Sequence, residues 1–171
     1  MDAIGNPTTT TPRLGRSSID TNSSSITLKS RHLFGLMPVH GTFAMRGGTV
    51  EVAGPLSESR LRVEIEAASF STGNGQRDGD VRSTKSLDTY RHPLITFVSG
   101  PVGATSVSGT LTACGVTRSA SLSIAHARVI ANAFTVRATT RVDRTEFGAT
   151  AALGMAGRHL DLTLEVTCVR T

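Results

Sequence analysis

The stretch that decides the fold is Leu160-Asp161-Leu162-Thr163-Leu164-Glu165-Val166-Thr167-Cys168. Apolar residues hold every even position and polar ones every odd position, the two-residue period of a strand with one dry and one wet face. Three more segments repeat it. Leu61, Val63, Ile65 and Ala67 alternate with Arg62, Glu64, Glu66 and Ala68, and Val107, Gly109, Leu111 and Ala113 alternate with Ser106, Ser108, Thr110 and Thr112. Phe134, Val136, Ala138, Thr140 and Val142 alternate with Thr135, Arg137, Thr139 and Arg141. Strands covered on both faces, as in parallel sheets, read as continuous apolar runs, so the alternation points to antiparallel pairing.

Working outward, further strands are expected over 26–34, 42–45, 49–53, 94–99 and 122–129. Turn signals separate them: Gly47-Gly48, Gly54-Pro55, Gly73-Asn74-Gly75, Gly100-Pro101 and Cys114-Gly115. One segment differs. Asp80 to Tyr90 is expected as a short helix capped by Asp80, with Val81, Leu87 and Tyr90 inward and Pro93 as its stop. Residues 1–23 carry Pro7, Pro12 and four consecutive threonines without either period, and are expected as a disordered polar tail before one domain over 24–171. The whole is an all-β chain of about eight or nine antiparallel strands with one inserted helix. Such a set can close into a barrel, which removes exposed edges and leaves an interior.

The 171 residues include 24 Thr, 18 Ser, 17 Ala and 17 Gly but only seven aromatics and no Trp. The net charge of +5 comes from 16 Arg and two Lys, scattered rather than in runs, against 13 carboxylates. That scatter, with no aromatic stacking platform, argues against nucleic acid as a partner. No stretch approaches the ~20 apolar residues that span a bilayer. The N-terminal residues lack the apolar core of a secretory signal, and the two cysteines fall on opposite expected faces, so a cytoplasmic setting is expected.

Six ordered motifs bear a family likeness. Arg31-His32-Leu33-Phe34 with Val39-His40-Gly41-Thr42-Phe43, then Ala67-Ala68-Ser69-Phe70-Ser71-Thr72, then Arg77-Asp78 open the series. His92-Pro93-Leu94-Ile95-Thr96-Phe97, Gly109-Thr110-Leu111-Thr112 with Gly115-Val116-Thr117, and Asp143-Arg144-Thr145-Glu146-Phe147-Gly148 complete it. Over Ser24 to Val169 the chain resembles the YceI-like family of lipocalin-like, polyisoprenoid-binding proteins. The resemblance implies a lipocalin-like barrel with a long apolar interior that holds an isoprenoid chain of polyprenyl or quinone type, and, since several members of the family are dimers, a homodimer is a possible assembly.

The ionisable groups each admit a functional and a structural role. His32 shares a face with Ile26, Leu28 and Ser30 and matches the family histidine; it either bonds a ligand head group at the barrel mouth or is a buried histidine satisfied by a carbonyl. His126 follows Leu122 and Ile124 at spacing two and reads as core or rim packing. His40, His92 and His159 sit by turns or on the wet face, and no pair has metal-site spacing with a carboxylate, so neither metal nor cofactor is expected. Arg77 and Asp78 lie in the glycine-rich connection before the expected helix. Arg77 either meets an anionic head group or, with Asp78, braces the loop. Arg144 and Asp143 read as a similar brace. No GxSxG elbow or phosphate loop is present.

The residues expected to form a ligand site follow from the inward series: Leu28, Val63, Ile65, Ala67, Leu111, Phe134, Val136, Ala138, Leu162 and Leu164, with His32 and Arg77 at the head group. The small inward residues Ala67, Ser69, Gly109, Ala113, Ala138 and Thr140 leave room unless Phe97 or Leu28 fills it, since interiors otherwise pack to crystal density. The function expected is a binding or carrier protein for a long-chain lipid. The alternative is an enzyme that uses the same barrel with His32 or Arg77 as an acid, base or oxyanion partner.

Overall fold

The computed structural model describes residues 12–32, 37–84, 86–149 and 157–171, apart from the side chains of Arg31, His32 and Met37. Among the described residues the chain forms β1 (Gly15–Ile19), β2 (Ser25–His32), β3 (Met37–Val52), β4 (Arg60–Ser71), α1 (Gly75–Arg82), β5 (Leu94–Val102), β6 (Ser106–Ala113), β7 (Val116–Ile130), β8 (Ala133–Asp143) and β9 (His159–Arg170). Every pairing is antiparallel. The order β3-β2-β9-β8-β7-β6-β5-β4 returns to β3, so eight strands close a barrel.

β1 lies within the segment expected as a disordered tail and corrects that boundary. It pairs with β3 from Gly15 opposite Val52 to Ser18 opposite Thr49, and with β9 from Ser17 opposite Arg170 to Ile19 opposite Cys168. β2 occupies the same gap lower down, from Ser25 opposite Glu165 and Ile26 opposite Phe43. The two are one stave of the barrel broken by a turn, in which the Asp20 carboxylate accepts from Asn22 N at 3.1 Å. Five residues bury only Ser17 and Ile19, too little alternation to read as a strand.

Bulges account for most other departures. β3 is continuous where Gly47-Gly48 suggested a turn, because the register shifts there and a Cβ on Gly48 would meet the Arg62 carbonyl and Ile19 Cδ1. On β4 the pairing jumps from Thr42 opposite Ser71 to Ala44 opposite Glu66. The extra residues flip the phase, so Phe70 is buried and Ser69, expected inward, instead accepts from Ala44 N at 2.7 Å and donates to the Glu66 carbonyl at 2.5 Å. A bulge between Ile124 and His126 likewise turns His126 out to solvent and puts Ala127 inside. Gly100-Pro101 is an irregularity within β5, whereas Cys114-Gly115 is a two-residue hairpin turn with φ of 55° and 74°.

The helix starts earlier than expected. Asn74 caps it through Oδ1, which accepts from Arg77 N at 3.0 Å, so Arg77 and Asp78 lie within its first turns and Asp80 near its end. Tyr90 is 96% exposed, opposite to its expected place, because the chain has left the helix eight residues before it. Leu87 does turn inward against the core.

The barrel has two distinct ends. The helix end carries the connection from Thr72 to Pro93, the Cys114-Gly115 turn and the residues after Asp143. The far end carries the approach to β1, the β3–β4 connection, the turns after β5 and β7, and Arg170.

Candidate functional site

Among the described residues, two apolar cavities are stacked along the barrel interior. The one at the helix end, about 120 Å³, is bounded by Ile65, Ile95, Leu111, Leu162 and, at its mouth, Leu87 and Phe147. The one at the far end, about 170 Å³, is bounded by Phe134, Val136, Ala138 and Cys168, with Pro12, Leu56 and Ala104 at its mouth. Val63, Leu122 and Leu164 border both. These three side chains are the partition. A void of ~150 Å³ lined by aliphatic groups is enough to hold one benzene ring and stays dry when empty.

The alternation of β4, β6, β8 and β9 thus brings together eight of the residues read from sequence: Val63, Ile65, Leu111, Phe134, Val136, Ala138, Leu162 and Leu164. Four others fall elsewhere. Ala67 is 1% exposed in the solid part of the core and borders neither cavity. Leu28 is buried but borders an outer groove beside Gly41 and Thr72. The His32 side chain lies outside the described residues. Arg77 lies off both cavities, with its Nε donating to Thr72 Oγ1 at 2.9 Å.

The small inward residues divide. Ala113 and Thr140 face the helix-end cavity and Ala138 the far-end one. Gly109 leaves no vacancy: a Cβ there would meet the Val98 carbonyl and lie 2.7 Å from Phe97 Cζ, so the ring already fills that space. Aromatic poverty is therefore only partly compensated, and what is not compensated is cavity.

Among the described residues, one charged side chain borders each cavity. Arg144 borders the helix-end cavity while its Nε donates to the Gly157 carbonyl at 2.7 Å and its Nη1 to the Ala149 carbonyl at 2.6 Å. Burial lowers its pKa against the opposing pull of Asp143. Asp143 is held by Thr145 and by Arg158 Nε at 2.8 Å, which helps keep its carboxyl below the usual range. Arg60 borders the far-end cavity, with Nη1 donating to the Ser57 and Ser59 carbonyls at 3.1 and 2.7 Å. Cys168, expected inward, is 1% exposed, and burial pushes its thiol up to about 12. Cys114, expected on the opposite face, also borders the helix-end cavity, and burial followed by Asp88 raises its thiol. Among the described residues no three His, Cys, Asp or Glu gather as metal ligands, and no helix is long and apolar enough to cross a membrane.

A model of the YceI-like domain matches residues 18–168. The chain belongs to the YceI-like family. Among curated relatives, the UPF0312 protein of Pseudomonas syringae pv. syringae is 35% identical over 99 residues, 54% of this chain and 51% of that protein. The match thus spans about half the length of that relative. The UPF0312 protein of Azotobacter vinelandii is 28% identical over 159 residues, 85% of this chain and 81% of its own. Two solved structures share the fold. BcnA of Burkholderia cenocepacia superposes with a TM-score of 0.70 at 19% identity over 87% of this chain and 98% of its own. A polyisoprenoid binding domain from Saccharophagus degradans gives 0.72 at 17% identity over 93% and 100%.

Of the residues that close the cavities in this YceI-like chain, sequence reading placed Leu87 inward without assigning it to a cavity and missed Phe147, Leu56 and Pro12. Leu87, Phe147, Leu56 and Pro12 sit in connections, where no two-residue period operates and hydrophobicity alone does not tell a plug from a surface residue. Arg144 was legible as a residue but not as a cavity neighbour.

Proposed function

We propose that this YceI-like protein binds and carries an isoprenoid or similar long-chain lipid inside the barrel, without catalysing a reaction on it. The observation that carries this reading is the pair of stacked apolar cavities parted by only Val63, Leu122 and Leu164. An apolar chain gains about 25 cal/mol per Å² removed from water, so several hundred Å² give on the order of 10 kcal/mol before chain and rigid-body entropy reclaim much of it. Each cavity by itself suits a single short branched unit. A long prenyl chain would enter by parting the three shared side chains and running through both, and its polar head would then lie at a mouth, near Arg144 or Arg60. The polyisoprenoid binding domain among the structural neighbours supports the ligand class. The enzyme alternative has less support, since the Arg77 guanidinium it invoked is engaged with Thr72. Two free thiols, on opposite sides of the shared partition, suit the reducing, cytoplasmic setting we propose.

The test is organic extraction of the protein purified from its host, followed by mass spectrometry. The expected result is a prenyl chain at up to about one per barrel, displaced by an apolar fluorophore such as N-phenyl-1-naphthylamine. Recovery of no lipid, together with no fluorophore binding, overturns the carrier reading; turnover of a prenyl lipid by the purified protein would restore the enzyme.

A further inference from the structure

The two ends of the barrel differ in a way the carrier reading does not require. Around the far-end mouth stand five exposed arginines, Arg13, Arg16, Arg60, Arg128 and Arg170. Among the described residues only the Glu51 and Glu58 side chains oppose them, and Glu51 already lies across the strands between Arg16 and Arg60. The imbalance is built into the wall. From Leu94 to Val142, four successive strands, the chain has no Asp or Glu at all. The helix end is mixed instead, with Asp78, Asp80, Asp88, Asp143 and Glu146 among its basic residues.

Two exposed aliphatic side chains share that far end. Leu14 is 59% exposed in the bend just before β1, and Ile130 is 52% exposed as the last residue of β7. They are joined through β9: Arg170 N donates to the Asn132 carbonyl at 3.0 Å beside Ile130, and the Arg170 guanidinium packs against Gly15 beside Leu14. Pro12, which precedes them, borders the cavity mouth itself. Exposed aliphatics flanked by arginines around an apolar opening match a lipid–water interface. There the aliphatic tips enter the acyl boundary while guanidinium heads stay at the phosphates.

We propose that the far end of the barrel docks on an anionic lipid bilayer and presents the far-end cavity mouth to it. The carrier reading gives this docking its purpose, but the docking does not depend on a ligand being inside. A nucleic acid fits the charge and not the chemistry, since among the described residues the far end offers no exposed aromatic ring to stack a base; the exposed Tyr90 is at the helix end.

The chain has no Trp, so a single introduced one reports its own surroundings. Ile130→Trp and Tyr90→Trp place that reporter at opposite ends, both on exposed side chains. With vesicles of 70% phosphatidylcholine and 30% phosphatidylglycerol, the emission of Ile130→Trp is expected to shift to the blue and that of Tyr90→Trp to stay. Neither should respond to pure phosphatidylcholine vesicles. Sedimentation of the full chain with the anionic vesicles should fall about 25-fold in R13Q/R128Q, at roughly fivefold for each arginine near such a surface. Salt at 0.5 M should release it. A blue shift in Tyr90→Trp equal to that of Ile130→Trp, sedimentation unchanged in R13Q/R128Q, or binding to duplex DNA but not to vesicles would each overturn the proposal. The carrier reading is scored separately, by binding of N-phenyl-1-naphthylamine in vesicle-free solution. R13Q/R128Q should retain that binding, and a chain that sediments with vesicles yet never binds the fluorophore sinks the carrier and leaves the docking.

Discussion

The Asp78 carboxylate, 4% exposed, receives both the backbone N–H of Thr72 at 3.0 Å and its hydroxyl at 2.6 Å. This one pair ties α1 to the end of β4, and Arg82 Nη2 adds a second tie to the Phe70 carbonyl at 2.5 Å. The connection that covers the helix-end mouth is thereby fixed to the wall. Burial works to raise the Asp78 pKa, but the Thr72 hydroxyl and N–H, then the charges of Arg82 and Arg77, outweigh it and hold the value below 3.8. Because the folded value is the lower one, this group's contribution to stability is fully present above 3.8 and is lost as pH falls through the folded value. Asp78→Asn should cost roughly 2 kcal/mol at pH 7, the scale of hydrogen bonds to a charged group, and the deficit should shrink in acid. Urea midpoints of both proteins at pH 7 and pH 3 check it; a deficit that grows in acid would mean that the Asp78 carboxyl is raised by folding, not lowered.

Gly109 tests where the barrel is full. A methyl at this position meets the Val98 carbonyl and the Phe97 ring, and the carbonyl belongs to a β5–β6 pair that cannot yield alone. Gly109→Ala should destabilise by about 1 to 3 kcal/mol through overpacking, whereas the same change at the open, helical Gly79 should stabilise by up to about 1 kcal/mol. Thermal melts of the two variants make the comparison, and equal melting points would mean that the Phe97 ring moves freely.

Much of this was legible from residues because a barrel wall repeats one simple rule. The four segments with strict alternation all became strands, and eight of the expected site residues came from them. The rule fails wherever an odd number of extra residues is inserted. A single bulge placed His126 outside despite its spacing of two from Ile124, and the β4 bulge exchanged Ser69 for Phe70. Nothing local marks such an insertion, since it is the partner strand's register that sets it. The helix was displaced because Asn74 and Asp80 are both competent caps in isolation, and only the Asp78–Thr72 tie chooses between them.

Leu122 tests the partition. It is partly buried and borders both cavities, so Leu122→Ala should merge them into one channel. The expected stability loss is about 2 to 4 kcal/mol, since the neighbours on β6 and β8 hold the space open. Affinity for a long prenyl chain should rise relative to a single-ring ligand. Calorimetric titration of both ligands gives the ratio, and a ratio unchanged from the native protein would mean that Leu122 does not limit chain length.

Ala138 tests the far-end cavity from the opposite direction. Its side chain is 6% exposed and borders that cavity, and a ring in its place would occupy the free volume rather than displace backbone. Ala138→Phe should therefore abolish long-chain binding at a cost of about 1 to 3 kcal/mol. Extraction and mass spectrometry of the variant, beside a melt showing it folded, decide the matter; full lipid uptake would remove this face from the site.

Cys168 turns the apolar interior into a pH-dependent quantity. Its thiol is pushed up to about 12 by burial from a usual value of 9.0, so the folded chain holds the proton that the unfolded chain releases. The contribution is complete below pH 9.0 and declines as pH rises toward 12, at up to about 1 kcal/mol per pH unit. Cys168→Ala should lose on the order of 1 kcal/mol at pH 7 through a lost contact, and the gap to the native protein should narrow above pH 9. Urea midpoints of both at pH 7, 9 and 10.5 isolate this thiol from the other groups that titrate there, Cys114 included. If the two curves stay parallel through pH 10.5, water reaches Cys168 and the far-end cavity is wet.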